Sequence, residues 1–261
     1  MIRYLRLIAI FISNTFSVQL EYRANFLINL LASMLDIGAN LFAISLFFTS
    51  NESFGGWSYA EAAVVLGVFV TVEGFISSCL YPNLNRISEH IRMGTLDFLL
   101  LKPIDSQFVI STRNIYILRF ADMLLGLIVI YWALQQLPAV TTINLLLAAL
   151  LLISGLVMVY SLWFLLATMS FWFVKVENIT ELFNTFFSAG RLPITAFPTW
   201  IRRILTYVVP IAFITTVPAQ ALTGQLNPWN VLVSIVLALA LFICSRTFWY
   251  FALRNYTSAS S

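Results

Sequence analysis

Long apolar stretches run through most of this chain, and they constrain its fold more than any other feature. Hydrophobic side chains make up 61% of the 261 residues and charged ones only 10%, whereas soluble domains carry about 25% charge. A helix needs about 20 apolar residues to cross a bilayer, so the chain has room for about six crossings. We therefore predict an all-α polytopic membrane protein, with one transmembrane unit over residues 1–261 and no separate soluble domain.

The apolar stretches divide into six predicted transmembrane spans. They cover about 24–49, 59–80, 108–134, 143–174, a fifth span beginning near residue 179, and 229–253. The fourth span is longer than one straight crossing requires, which predicts a tilted helix or an extension beyond the bilayer. The fifth is interrupted at Gly190, Arg191 and Pro193.

Prolines interrupt the region between spans 5 and 6. Pro198, Pro210 and Pro218 separate apolar pieces that are too short to cross. Irregular backbone persists at membrane depth only where protein or a water-filled cavity covers it. We predict that residues 194–226 form re-entrant or interfacial helices arranged as an extracytoplasmic hairpin.

The N-terminal segment, 1–22, has basic residues followed by a short apolar stretch. Its apolar residues Ile2, Leu5, Ala9, Ile12 and Phe16 recur at spacings of three and four, which places them on one helix face. No cleavage site of small residues follows, so a signal peptide is the less favoured alternative. The pattern predicts an amphipathic helix lying at the membrane interface.

The distribution of basic residues predicts the orientation. With the N-terminus in the cytosol, eleven basic residues lie on or near the cytosolic side: Arg3, Arg6, Arg23, Arg86, Arg92, Lys102, Arg113, Arg119, Lys175, Arg246 and Arg254. Three lie on the other side: Arg191, Arg202 and Arg203. The positive-inside rule therefore predicts both termini in the cytosol. Because the basic residues are scattered, they do not indicate a nucleic-acid surface.

The segment 82–105 is the longest polar interruption of the chain, and it contains the only histidine, His90. Its apolar residues Leu84, Ile87 and Ile91 recur at helical spacing, and Gly94 ends the pattern. This predicts a short amphipathic helix between spans 2 and 3. A second short apolar turn over 98–101 would be capped by Thr95 or Asp97. The alternative is an ordinary cytosolic loop with a solvated face.

Acidic residues also occur inside the predicted spans, at Asp36, Glu73 and Asp122. Charges at membrane depth are costly and often functional. Arg119 and Asp122 are three residues apart on a helix, so they are predicted to neutralise each other. Asp36 and Glu73 have no partner nearby in sequence. They either pair with polar groups from another span or line a polar pathway, and the sequence does not choose between these alternatives.

Two motifs resemble a known family. The stretch RMGTLDFLLLKPIDSQF is similar to the segment that follows the coupling helix in permeases of type-2 (ABC-2) ABC exporters. Its matching positions are Arg92, Gly94, Leu96, Asp97, Leu100, Lys102 and Pro103. The stretch FPTWIRRILTYVVPIAFITTVPAQALTG resembles the same permeases, of about 260 residues. Its matching positions are Phe197, Pro198, Trp200, Pro210, Pro218 and Ala219.

The resemblance implies a membrane subunit of the cell inner (plasma) membrane that dimerises with an identical or homologous protomer. Each protomer would seat a cytosolic coupling helix on a separate ABC ATPase subunit, which would bind ATP and Mg. The chain itself has no phosphate-binding loop and is expected to carry no cofactor or metal and no catalytic residue. The coupling interface implied by the resemblance comprises Asn83, Arg86, Ile87, Glu89, His90, Arg92, Gly94 and Asp97.

Two other functional classes remain as alternatives. An ion-coupled secondary carrier or channel would use Asp36, Glu73 or Asp122 and would transport without ATP. The absence of an internal repeat in the sequence disfavours it. An intramembrane enzyme is disfavoured because no metal motif or nucleophile elbow is present. The sequence does not identify the transported compound.

Overall fold

The computed structural model describes residues 6–8, 10–12, 23–48, 55–173 and 177–256. These residues form helices and connecting turns, and no strand occurs among them. Of the N-terminal helix predicted over 1–22, residues 6–8 and 10–12 are helical and the rest lies outside the described residues.

Eleven α-helices are numbered here in chain order. They are α1 Arg23–Phe48, α2 Tyr59–Phe75, α3 Ile87–Arg92, α4 Leu96–Leu100, α5 Ser106–Thr112, α6 Phe120–Leu134, α7 Thr142–Thr168, α8 Glu177–Ser188, α9 Thr199–Arg203, α10 Val217–Thr223 and α11 Pro228–Arg254. A helical turn, Tyr81–Leu84, extends α2 beyond a π-helical turn at Ile76–Leu80. Two further π-helical turns lie at Ile204–Val208 and Ala212–Thr216. Short 3₁₀ turns occur at Ile117–Arg119, Met169–Phe171, Ala189–Arg191 and Ile194–Ala196.

Helix α2 is the centre of the structure. Its sequence is apolar on every side, which is the pattern of a helix enclosed by protein, and most of its residues are buried. Ser58 and Glu61 form a capping box that fixes where α2 begins. By contrast, α1 buries only Ile37 and Ile44 among its described side chains. The remaining apolar surface of α1 faces outward, as expected for a helix in contact with lipid or another protein.

Helix α6 packs against α2 through small residues. Gly126 lies so close to α2 that a Cβ atom at this position would stand 2.5 Å from the backbone nitrogen of Thr71. The same Cβ would be 2.8 Å from the carbonyl oxygen of Gly67. Because backbone atoms cannot move aside, this contact requires glycine, in the way that small residues allow close helix packing in membranes.

We expect Gly126→Val to weaken the α2–α6 contact and to destabilise the protein by about 3 kcal/mol. The measurement is the thermal midpoint of the purified protein in a mild detergent. Gly38→Val is the matched control, because a Cβ at Gly38 of α1 would meet nothing within 4 Å. Equal midpoints for the two variants would contradict the proposed tight contact.

Among the residues that the structure describes, five helices are long and apolar enough to cross a membrane, and the count rises to six if one bent pair is a single span. Two predicted spans differ from the structure. Span 3 is not one helix, because α5 and α6 are separated by a break at residues 113–116. The predicted span 5 corresponds to α8, whose 12 residues extend only about 18 Å. This is shorter than the roughly 30 Å of a bilayer's hydrocarbon core. Breaks after α8, at Gly190 and Pro193, occur where the sequence predicted them. The long fourth span is observed as Thr142–Phe171.

The proline-containing region forms two helical pieces that meet at an angle. Thr199–Val208 and Ala212–Thr223 are bent by 80° at the break around Pro210. Thr195, just before them, accepts a hydrogen bond from Trp57 Nε1 and donates to Gly55 O. Gln225, just after them, donates to Glu61 Oε1. Both ends of this region therefore contact the same end of α2.

Candidate coupling segment and intramembrane polar cluster

The segment between α2 and α5 is tied to the broken third span by Asn83. The Asn83 amide donates to Asn114 O at 2.6 Å and to Cys79 O at 2.8 Å, and its oxygen accepts from Asn114 N at 2.8 Å. Nearby, Tyr116 N donates to Ser78 O. These bonds satisfy the backbone groups that the break at 113–116 leaves without helical partners. The segment that follows α2 and the segment that precedes α6 are thus joined directly.

Helix α3 ends where the sequence predicted, at Gly94, which adopts a positive φ of 68°. The start of α4 differs from the prediction that Thr95 or Asp97 caps this turn. Thr95 makes no capping bond to α4 and instead shares a hydrogen bond of 2.8 Å with His90 Nδ1. Burial and then the Arg113 guanidinium lower the pKa of His90, while Glu89 opposes the shift. The imidazole is therefore neutral at pH 7 and fixes the turn between the two short helices.

A cavity of about 480 Å³ lies beside α3 and α4. Its lining residues are Arg86, Glu89, His90, Met93, Thr95, Phe98, Leu99, Lys102 and Arg113. Met93 is 61% exposed and Phe98 70% exposed. We call this surface the basic groove, because three cations and one carboxylate surround its exposed apolar side chains. Large exposed apolar side chains in a polar rim are typical of protein interaction sites.

The structure divides the predicted coupling residues into two groups. Asn83 and Ile87 are buried, so their side chains are not available to a partner, and both act in the packing of the segment. This corrects their predicted place on the interface. Five others are exposed or half-buried, namely Arg86, Glu89, His90, Arg92 and Asp97, and Gly94 serves the turn. The predicted coupling interface did not include Phe98 or Arg113, which line the same groove.

Asp36 and Glu73, the two acids without a partner in sequence, meet at Arg191. The guanidinium Nη1 lies 3.3 Å from Asp36 Oδ1, and Nη2 lies 3.9 Å from Glu73 Oε1. Nη1 also donates to Asn40 Oδ1 at 3.5 Å, and the guanidinium stacks over the Phe69 ring at 5.2 Å. One arginine after α8 therefore links α1 to α2.

The predicted Arg119–Asp122 ion pair is present, with 3.6 Å between Nη1 and Oδ2. Both residues line a cavity of about 290 Å³ together with Asp36, Glu73 and Arg191. We call these five residues the intramembrane polar cluster. Three carboxylates face two guanidinium groups, so most of the charge is compensated. Within the part of the chain that the structure describes, no group of His, Cys, Asp and Glu side chains is arranged to hold a metal ion.

Arg191 is the residue of the cluster whose contacts the sequence did not predict. The count of basic residues grouped it with Arg202 and Arg203, whereas in the structure it lies beside the middle of α1. The helix break at Gly190 and Pro193 brings Arg191 to this position, and the two carboxylates make the position favourable. The unpartnered acids at Asp36 and Glu73 were the signal that a cation from another segment was needed.

Long apolar helices, ion pairs that link them and an exposed basic groove define a polytopic membrane protein. A comparison with known families matches residues 34–260 to the family described as "ABC-2 family transporter protein". The chain belongs to this family. No curated protein matches it closely enough to count as a relative.

Proposed function

We propose that this chain is the membrane-spanning permease subunit of an ATP-driven exporter, with ATP hydrolysis in separate ABC ATPase subunits. It is not an enzyme in this proposal, and ATP and Mg are bound by the partner. The observation that carries the proposal is the basic groove, an exposed apolar and basic surface on two short helices between α2 and α5. Membership in the family supports it.

The groove is suited to transmit a displacement to the membrane helices, because the two short helices that form it are anchored in the core. Ile87 and Leu96, one from each short helix, are buried in the main core. Asn83 joins the end of α2 to the backbone at Asn114. A displacement of the groove therefore acts on α2, the most enclosed helix, and on the start of α6. In this proposal the residues that contact the ATPase are Arg86, Glu89, His90, Arg92 and Asp97, together with Met93 and Phe98.

The translocation path would form between two permease protomers, identical or homologous. Helix α1 is the strongest candidate for contact with the path, since it is little buried and carries Asp36 and Asn40 on the side of the polar cluster. Arg191 holds α1 to α2 in the state described here. Release of that contact would allow α1 to move relative to the rest of the protein.

The proposed orientation places both termini and the basic groove in the cytosol, at the inner (plasma) membrane. The region 194–226 would then form the re-entrant extracytoplasmic hairpin. Its support is the pair of contacts at Thr195 and Gln225, which hold both of its ends at the same end of α2.

The test is purification of the tagged chain in a mild detergent, with identification and counting of every co-purifying subunit. We expect an ABC ATPase and two permease copies for every two ATPase copies. Reconstituted complexes should transport only with hydrolysable ATP. Transport by the permease alone, driven by an ion gradient, would overturn the proposal.

That outcome would support the second candidate, an ion-coupled carrier or channel. One observation favours this candidate, namely that Asp36, Glu73 and Asp122 share one cavity. The two arginines in the same cavity weigh against it, because they already occupy the carboxylates that an ion would need.

A further inference from the structure

A third, larger cavity lies apart from both sites described above. It has a volume of about 610 Å³ and is enclosed by the end of α2, by α5, and by α7 and α11. This volume falls within the roughly 300–1,000 Å³ of typical small-molecule sites. Cys79 and Leu80, which line it, belong to the π-helical turn of α2, and such turns are frequent at functional sites.

The cavity has a large apolar part. Its apolar lining comprises Phe75, Leu80, Phe108, Ile115 and Phe242. Phe242 is 37% exposed on the long apolar helix α11, so the cavity is open beside a membrane-spanning surface. An occupant with a hydrocarbon chain can therefore enter from the bilayer without crossing water.

One wall of the cavity is polar and internally bonded. Tyr160 Oη accepts a hydrogen bond from Gln107 Nε2 at 3.1 Å and shares another with Ser111 Oγ at 2.9 Å. Gln107 and Ser111 are buried. Next to them, Arg246 Nη2 donates to Asp105 Oδ2 at 2.8 Å. These bonds hold the wall in place before any ligand binds.

Arg246 retains hydrogen-bonding capacity toward the cavity. A guanidinium has five N–H donors. Contacts with described residues use both donors of Nη2, on Asp105 and Tyr250, and one donor of Nη1, at 3.5 Å from Gln107. Nε and the second donor of Nη1 make no hydrogen bond with the residues that the structure describes. The side chain is 43% exposed, so these donors can reach an occupant.

Both carboxylate oxygens of Asp105 accept hydrogen bonds from residues in or next to the wall. Burial raises the pKa of this carboxyl, but hydrogen bonds from Phe108 N–H, Arg246 and Tyr250 together bring it below its ordinary value. The carboxylate is therefore ionised and holds the guanidinium in one orientation. The N–H groups of Arg246 that make no hydrogen bond with the described residues therefore remain for a ligand. Such donors favour a head group that is rich in hydrogen-bond acceptors.

We propose that this cavity binds a phospholipid of the surrounding bilayer, with a phosphate oxygen on Arg246 and an acyl chain among Phe75, Phe108 and Phe242. Guanidinium and phosphate form strong charge-assisted hydrogen bonds. The proposal does not depend on the ATPase partner. A resident lipid here would fill the space between the end of α2 and α11.

The test uses the full chain in a mild detergent and counts retained lipid by native mass spectrometry. Phosphatidylglycerol is the probe, and diacylglycerol, which lacks the phosphate, is the control ligand. We expect wild-type protein to retain phosphatidylglycerol, and Arg246→Gln to lower its affinity about tenfold. Arg254→Gln, at the exposed end of the same helix, is the matched control and should bind as wild type does.

Arg246→Gln leaves Asp105 without its cation, so a double variant, Asp105→Asn with Arg246→Gln, separates lipid binding from folding. It should fold and still fail to retain phosphatidylglycerol.

The two cysteines provide a second readout, since Cys79 lines the cavity and Cys244 is exposed elsewhere on α11. Bound phosphatidylglycerol should slow maleimide labelling of Cys79 and leave Cys244 unchanged. Equal retention of diacylglycerol, or retention by the folded double variant, would overturn the proposal.

Discussion

Substitution of Arg191 by glutamine is expected to lower the thermal midpoint of the purified protein by roughly 6–12 °C, with loss of transport. The substitution leaves Asp36 and Glu73 at membrane depth without their shared cation. An uncompensated carboxylate at the centre of a transmembrane helix costs roughly 3 kcal/mol, and 1 kcal/mol corresponds to about 2–4 °C for a chain of this size. The measurement is thermal unfolding in a mild detergent. Arg203→Gln is the control, because Arg203 is exposed.

A neutral triple variant separates structural pairing from a role in the path. Asp36→Asn, Glu73→Gln and Arg191→Gln together remove all three charges and should restore the thermal midpoint. If the polar cluster only holds α1 against α2, transport returns with stability. If it lines the path, the triple variant is stable and does not transport. A thermal midpoint of Arg191→Gln equal to that of Arg203→Gln would show that the ion pairs contribute nothing.

Charge reversal on the proposed ATPase contact, at Glu89 in the basic groove or at Arg92 next to it in sequence, is expected to abolish coupling and to leave the fold intact. Arg92→Glu or Glu89→Lys should lower ATP-dependent transport roughly tenfold or more, because a reversed charge at an interface costs several kcal/mol. Both side chains are exposed, so the thermal midpoint should stay at the wild-type value. The measurements are transport and ATP hydrolysis by the reconstituted complex with its ATPase.

The matched control for the groove is Arg254→Glu. Arg254 is an exposed arginine at the end of α11, and it belongs neither to the groove lining nor to the proposed ATPase contact. It should retain full coupling. Ile87→Asp should instead unfold the segment, because Ile87 is fully buried. Wild-type transport by Arg92→Glu and by Glu89→Lys would exclude the groove as the contact with the ATPase.

Sequence patterns predicted local features well. The start of the second span at Tyr59 and the end of α3 at Gly94 agree with the sequence prediction, since turn composition and positive φ are local properties. The ion pair between Arg119 and Asp122 was predicted because three residues separate neighbours on one helix face. The breaks near Gly190 and Pro210 followed from glycine and proline, which disrupt helical hydrogen bonding regardless of surroundings.

The same reasoning misplaced residues whose role depends on a distant segment. Asn83 is polar in a polar segment, yet it is buried because the broken backbone at Asn114 needs a donor and an acceptor. Ile87 is buried in the core and not at the predicted interface, because the sequence does not say which side of a short helix faces the core. Residues 108–134 were predicted as one span although Arg113 and Asn114 interrupt the apolar residues, and the break at 113–116 is stabilised by the contact with Asn83.

Apolar length and family motifs are read along the chain, so they are sufficient to identify a helical membrane protein of the ABC-2 transporter family. The positions of its charges, by contrast, depend on the tertiary structure. It brought Arg191 to Asp36 and Glu73 across 155 and 118 residues of sequence, and it placed Asp105 against Arg246. Such pairs form because lipid offers no other compensation for a charge, and the partner that satisfies it is fixed by packing and not by sequence distance.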